Sequence, residues 1–204
     1  MKYEHIIFDF NGTLVDSVEV INNILGGLIT RSRFKSLTPK DFEKVGRLPF
    51  FKRLKVIIFS LKYQRKFLKL LAENVSLIKF ASGVKPVLAS LNQKNIPFSI
   101  LSANDKDMII EFFGLHRISI DSVYRSQRLL GKKNAIKKFI KQRRCAPNGV
   151  LYISDEVRDA AACARCGVDM IFVKWGIDAN EDISGLNIKA AVGNPEELFA
   201  LLTA

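Results

Sequence analysis

The apolar run His5-Ile6-Ile7-Phe8 leads directly into Asp9-Phe10-Asn11-Gly12, and few architectures accommodate that order. A short, continuous apolar run marks a strand buried on both faces. A carboxylate at the C-terminal lip of such a strand, followed by a Gly turn, lies where open α/β sheets gather their chemistry. Asn11 stands two residues beyond Asp9, so the two side chains can face one site. The identity of that second residue matters, because a carboxyl group can carry protons and a carboxamide cannot.

Beyond Gly83, apolar strands alternate with helical patterns. Ile96–Leu101, Ser119–Tyr124, Gly149–Ser154 and Asp169–Lys174 read as strands. Between them, Met108, Ile109, Phe112 and Phe113 recur at helical spacing, as do Ala135, Ile136, Phe139 and Ile140. Glu156–Cys166 reads as a helix stopped by Gly167, and Asn194-Pro195-Glu196-Glu197 opens a last helix with an N-cap and a Pro in its first turn. This rhythm predicts an α/β fold, a Rossmann-like, doubly wound parallel sheet with helices on both faces. Polar residues fall at the strand exits: Asp9 and Asn11, then Ser102, then Asp155 and Asp159.

Residues 17–82 break the rhythm with two helical patterns, Val18–Ile29 and Phe50–Leu71, and no alternating strand. The expected organisation is therefore an α/β core from 1–16 and 83–204, with a small inserted α-helical domain at 17–82. Charge divides the same way. Residues 17–82 hold 14 Lys/Arg and 4 Asp/Glu, and the remainder holds 18 and 16, so nearly all of the net +12 belongs to the insertion. A local positive potential attracts anions, although Lys-rich helical surfaces also serve solubility alone.

Other classes recede. No apolar stretch approaches the roughly 20 residues needed to cross a bilayer, and Lys2, Glu4 and Asp9 interrupt the start, so a cytoplasmic protein is expected. Three cysteines make an odd count, unsuited to a disulfide framework. Cys163 and Cys166 form a C-x-x-C, but within an alanine-rich helix and without a second pair to complete a zinc site, so both read as small packing residues.

The strand-exit residues fall into a recognisable series. Asp9-Phe10-Asn11-Gly12-Thr13-Leu14-Val15-Asp16-Ser17 resembles the first motif of the haloacid dehalogenase superfamily, whose usual form has Asp where Asn11 stands. Leu101-Ser102-Ala103-Asn104 resembles the second motif, Lys132 in Gly131-Lys132-Lys133-Asn134-Ala135 the third, and Tyr152-Ile153-Ser154-Asp155-Glu156-Val157-Arg158-Asp159 the acidic fourth. Val173-Lys174-Trp175-Gly176 is similar to a strand end of the phosphoglycolate-phosphatase-like branch.

The resemblance implies a Mg²⁺-dependent hydrolase acting on a small phosphorylated metabolite. Asp9 would be the nucleophile that forms an aspartyl phosphate. Asp9, the Asn11 carbonyl, Asp155 and Asp159 would hold the metal, with Glu156 as a further candidate. Ser102, the Ala103 amide and Lys132 would bind the phosphoryl group, with Lys133 competing for the lysine role. Asn11 departs from the pattern, and loss of a positioned general acid typically costs about 10²–10⁴ in rate. Phosphate binding is expected to survive and turnover on poor leaving groups to suffer.

The insertion lies where the family places a substrate-selecting cap, and Arg47 in Gly46-Arg47-Leu48-Pro49 is a candidate grip for a second anionic group. Two other readings stay open at this point. One is a binding protein that keeps the fold, sheds catalysis and recognises an anionic partner such as nucleic acid through its basic insertion. The other is dehalogenase-like or phosphonate-cleaving chemistry. The basic and apolar segment 53–67 reads either as packing within the insertion or as a surface for anionic membrane.

Overall fold

The computed structural model describes residues 3–42, 45–126 and 131–203. Its strands are β1 (His5–Phe8), β2 (Val15–Asp16), β3 (Lys79–Phe80), β4 (Phe98–Ser102), β5 (Ser122–Arg125), β6 (Val150–Ser154), β7 (Asp169–Val173) and β8 (Ala190–Val192). Its helices are α1 (Val18–Thr30), α2 (Phe50–Glu73), α3 (Val84–Gln93), α4 (Lys106–His116), α5 (Gly131–Arg143), α6 (Val157–Ala164) and α7 (Pro195–Thr203). The chain divides into one unit of Met1–Asp16 with Lys79–Ala204 and a second of Ser17–Ile78.

In the first unit, six strands pair in the order β5-β4-β1-β6-β7-β8, and every pairing is parallel. The chain leaves β1 to one side for β4 and β5, then returns to the other side for β6, β7 and β8. The order therefore reverses at β1, and ligand crevices open beyond the strand ends at such a switch point. Phe8 stands level with Ile100 of β4 and Ile153 of β6. One residue further along, the three chains deliver Asp9, Leu101 and Ser154 side by side.

Alternation along β1 splits its side chains between two layers. His5 and Ile7 face α5 and α6: His5 meets the Phe139 ring at 5.5 Å, and Ile7 packs with Ala135, Ile136, Phe139, Tyr152 and Cys163. Phe8 faces the other way, edge-on to Phe98 at 5.5 Å, in an aromatic layer continued by Phe10, Phe112, Phe113 and Phe80. β4 and β6 are buried at every residue, as strands covered on both faces must be.

Three features of this unit are absent from the sequence reading, the first two because they are too short to leave a periodic trace. β8 is three residues long, and β2 and β3 form a two-residue antiparallel pair, Val15 with Phe80 and Asp16 with Lys79. That pair brings the chain back into the sheet unit at Lys79, four residues ahead of the expected 83. Helix α3 is the third; its buried Val84, Val87, Leu88 and Leu91 are spaced for a helix.

The second unit packs α1 on α2 with short 3₁₀ turns between them. Ile24, Leu25, Leu28 and Ile29 of α1 and Val56, Phe59, Phe67 and Leu71 of α2 are buried. A Lys52–Asp41 ion pair at 2.7 Å ties α2 to the turn at Pro39–Phe42.

Candidate active site

Asp9 leaves β1 with its own amide donating to the Ile153 carbonyl of β6 (2.9 Å), so the sheet ladder fixes its backbone. One carboxylate oxygen, Oδ1, accepts from the Phe10 amide at 2.8 Å. The other, Oδ2, lies 2.9 Å from the ammonium of Lys132, at the start of α5. Lys132 also reaches Asp159 Oδ2 (2.9 Å) and the Tyr152 hydroxyl (2.8 Å). One buried ammonium thus links the exit of β1, the start of α5, strand β6 and the first turn of α6.

Asp159 Oδ2 is crowded with donors. Besides Lys132 it accepts from Ser154 Oγ at 2.8 Å, while Asp159 Oδ1 is buried with no hydrogen-bond partner. A carboxylate oxygen in that state is costly unless something positive completes it. Oxygens of Asp9, Glu156 and Asp159 lie within 4.8 Å of one another. Three hard oxygen donors with an orphaned lone pair among them suit a small divalent cation. Glu156 is itself held by Arg158, whose Nη2 donates to its Oε1 at 2.7 Å. Arg158 thus neutralises Glu156 directly.

Asp155 plays a different part. Its Oδ1 accepts from Thr13 Oγ1 at 2.7 Å and its Oδ2 from the Ile177 amide at 2.7 Å, while its amide donates to Thr13 Oγ1 at 3.0 Å. Gly12 adopts a left-handed conformation with φ +76°, and a Cβ on either Gly12 or Gly176 would fall inside the Asp155 side chain. Backbone therefore closes on this carboxylate from the loops after β1 and β7 at once. The Trp175 indole, donating to the Thr13 carbonyl at 3.0 Å, ties the same two loops.

Asn11 is joined to the second strand exit. Its Oδ1 accepts from the Asn104 amide at 3.2 Å, and the Asn104 backbone N–H donates to Ser102 Oγ at 3.2 Å. Ser102 and Asn104 are both buried, and Ala103 between them is half-buried. Lys132 makes the contacts with Asp9 and Asp159, whereas the neighbouring Lys133 accepts from the Cys166 thiol through its carbonyl. Arg47 belongs to the 3₁₀ turn Val45–Arg47 of the other unit, and its side chain lies outside the described residues. Cys163 is fully buried in the core between the sheet and α5, and burial raises its thiol pKa.

Several contributors carry no role in the motif reading. Thr13, Asn104, Tyr152 and Ser154, which lie within the motif segments, and the Ile177 amide, which lies outside them, all hold site residues. Tyr152 and Ser154 had a usable signal: two hydroxyls at period two on one strand face, ending at the strand exit. Asp178 had none; it caps α6 by accepting from the Val157 amide at 3.0 Å, from a loop 21 residues away.

Electrostatics reflect the crowding. Burial pushes the Asp9 carboxyl up to about 8; Lys132 opposes this, and Glu156, Asp159 and Asp155 add to it. Burial also raises Asp155 to about 6, against the lowering effect of the donors from Thr13 and Ile177. For Lys132 burial opposes the charge, but Asp9, Asp159 and Glu156 outweigh it and keep the ammonium protonated.

The family follows from comparison as well as geometry. Residues 6–173 match the model of the haloacid dehalogenase-like hydrolase family, so the chain belongs to that family. Its relatives lie on the phosphoglycolate-phosphatase-like branch: it is 24% identical to a phosphoglycolate phosphatase of Synechococcus elongatus, over 97% of this chain and 96% of that one. Among solved structures, it resembles a putative haloacid dehalogenase-like hydrolase from Bacteroides fragilis, with TM-score 0.80, 19% identity and coverage of 97% and 100% of the two chains. It also resembles CbbY from Rhodobacter sphaeroides in complex with phosphate, with TM-score 0.73, 13% identity and 96% of each chain covered. Among the described residues no helix is long and apolar enough to cross a membrane.

Two predictions follow from the packing and the charge. Gly12→Ala forces a left-handed, non-Gly residue against Asp155 and should cost about 2–4 kcal/mol, lowering Tm by about 5–10 °C. Gly26→Ala on α1, where a Cβ meets nothing within 4 Å, should leave Tm unchanged or slightly higher. Circular-dichroism melts of both proteins make the comparison.

The second concerns Asp9, whose folded pKa of about 8 exceeds the ordinary 3.8. Between those values the native state binds more protons than the unfolded chain, so this group's contribution to stability falls as pH rises from 4 toward 8. With a chelator present at pH 8, Asp9→Asn should therefore be the more stable protein, by about 1–2 kcal/mol or about 2–6 °C. Its melting temperature should also vary less over that pH range. A lower Tm for Asp9→Asn at pH 8 would show that Lys132 outweighs the crowding.

Proposed function

We propose that the protein is a Mg²⁺-dependent phosphatase of small phosphorylated metabolites, working through a phosphoryl group carried on Asp9, with its general-acid step weakened by Asn11. The observation that carries this reading is the Lys132 ammonium set against both Asp9 and Asp159, with Glu156 beside them. A site that only binds an anion gains nothing from three converging carboxylates. A site that transfers phosphoryl needs one of them as nucleophile and the others to hold a cation.

In this reading Asp9, Asp159, Glu156 and the Asn11 carbonyl hold the cation. Asp155 remains in the ligand set through the second lone pair of each oxygen, which its hydrogen bonds to Thr13 and Ile177 leave available. When bound, Mg²⁺ offsets the repulsion between the carboxylates and the phosphate. A carboxylate oxygen of Asp9 attacks phosphorus, and the bond to the leaving oxygen breaks as the acyl phosphate forms. Lys132 and the Ser102 hydroxyl, with the Ala103 amide, stabilise the phosphoryl oxygens as charge shifts. Water then attacks phosphorus, releasing phosphate and restoring the carboxylate.

Asn11 decides how well the first step runs. Its carboxamide has no proton to give, so the departing alkoxide must be protonated by solvent. An aryl or acyl leaving group needs no such help. The inserted helical unit is proposed as the element that selects the substrate, with Arg47 as a candidate anion grip, in a protein expected to work in the cytoplasm.

Asn11→Asp should raise the rate on an alkyl phosphate such as 2-phosphoglycolate by about 10²–10⁴, and change p-nitrophenyl phosphate turnover by less than about tenfold. Asp9→Asn should abolish phosphate release from both. If Asn11→Asp leaves the alkyl rate unchanged while Asp9→Asn is dead, the nucleophile stands and the acid defect does not.

Metal binding carries its own pH signature. Mg²⁺ competes with the proton on Asp9, so its affinity should weaken by up to about tenfold per unit as pH falls below about 8. Isothermal titration at several pH values, in buffers of different ionisation enthalpy, reads both the affinity and the proton released.

A further inference from the structure

Helix α2 buries one apolar face and exposes another. Val56, Phe59, Phe67 and Leu71 are buried, with the Phe59 ring 5.7 Å from Phe34 and 5.2 Å from Phe42 of the same unit. On the far side stand Phe50, Phe51, Leu54, Ile57, Ile58 and Leu61, all exposed, with Phe51 at 78%, Leu61 at 72% and Phe50 at 63%. Steps of three and four place all six on one continuous stripe along about three turns. Solvated helices do not keep so contiguous an apolar stripe without something to cover it.

The borders of the stripe are basic. Lys55, Lys62, Lys66 and Lys69 follow one edge at helical spacing, all exposed, and Arg53 lies along the other. Over the whole of α2 there are seven Lys/Arg and one acidic residue, Glu73. An aromatic and aliphatic stripe between basic edges, on a helix anchored by its opposite face, is suited to lie flat in a charged interface.

We propose that this face of α2 docks onto an anionic lipid surface, the apolar stripe entering the headgroup boundary and the lysines meeting the lipid anions. Charge argues against a second copy as occupant, since it would bring the same positive edges against themselves. A nucleic acid would satisfy the lysines but leave Leu54, Ile57, Ile58 and Leu61 in water. Anionic lipid engages both halves of the pattern. The docking is peripheral: Lys55 and Lys62 interrupt the apolar run, and no described helix is suited to span a membrane.

The test is co-sedimentation of the full chain with phosphatidylcholine vesicles, with and without phosphatidylserine, at low and high salt. Binding should require phosphatidylserine and fall at least about tenfold at high salt. Lys55→Glu with Lys62→Glu should weaken partitioning about 30-fold or more, and Phe51→Ser with Leu61→Ser about 100-fold. Both pairs are at the surface, so circular dichroism should show the wild-type fold. Folded wild-type protein that ignores anionic vesicles, or binds neutral ones equally, overturns the proposal. So does a lipid-free dimer in sedimentation velocity that Phe51→Ser with Leu61→Ser dissolves, which would assign the stripe to a second copy. Oligonucleotide binding that the serine pair leaves intact and the glutamate pair destroys, without vesicle binding, overturns it in favour of nucleic acid.

Discussion

The ammonium of Lys132 is the contact on which the site depends. Four carboxylates, those of Asp9, Asp155, Glu156 and Asp159, lie near one another at the ends of two adjacent strands. Without a cation among them, burial would force most of them to take up protons. Lys132 bridges Asp9 and Asp159 and so lets both stay at hydrogen-bonding distance of one charge. Tyr152 and Ser154 then fix the lysine and Asp159 from the sheet side. The compensation is incomplete, as the raised Asp9 pKa and the orphaned Asp159 Oδ1 both record. That residual imbalance is what a bound cation would relieve.

Asp155 shows how the same residue type can serve construction. Three segments distant in sequence, at Gly12-Thr13, at Asp155 and at Gly176-Ile177, close on one carboxyl group. Each contact uses backbone or a short hydroxyl, so the spacing admits little variation. The β1 exit is thereby held in register with the β6 and β7 exits, and Asp9, four residues before Thr13, inherits that placement. A nucleophile must be positioned to within a fraction of an ångström to be effective. Here the buried Asp155 adds to the contacts that Asp9 makes itself with Ile153, Phe10 and Lys132.

Much of this was legible in the chain and some could not be. Buried parallel strands announce themselves as unbroken apolar runs, so β1, β4, β6 and β7 and the polar residues at their exits stand out at once. β8 does not, because three residues against a sheet edge carry no periodic signal, and the β2–β3 pair is shorter still. At the site, residues that act through their own chemistry were visible as motif members. What was hidden is how residues act on one another, since the part of Asn104, though it stands in a motif segment, depends on Asn11 lying 3.2 Å away, and that of Asp178 on α6 beginning beside it. Helix α2 is a mixed case. Its sequence showed apolar and basic residues together, but only the packing reveals that the apolar positions divide into two opposed faces.

Asn11 is best understood through the same crowding. An Asp at that position would add a fifth carboxylate to a cluster in which one ammonium already serves two, and the Arg158 guanidinium is committed to Glu156. Replacing a charge by a neutral amide of equal shape removes repulsion from every other carboxylate nearby. Its Oδ1 remains an acceptor for the Asn104 amide, so the side chain is held by the loop that carries Ser102. Under the proposed function, the exchange would therefore ease the crowding of charge and disfavour proton transfer to a leaving group. Those two consequences cannot be separated, because both arise from the loss of a single titratable oxygen at the same point. Under the proposed function, a chain that keeps Asp9, Lys132 and Asp159 while giving up that oxygen would retain the means to bind and accept a phosphoryl group, and would give up only the help to a reluctant leaving group.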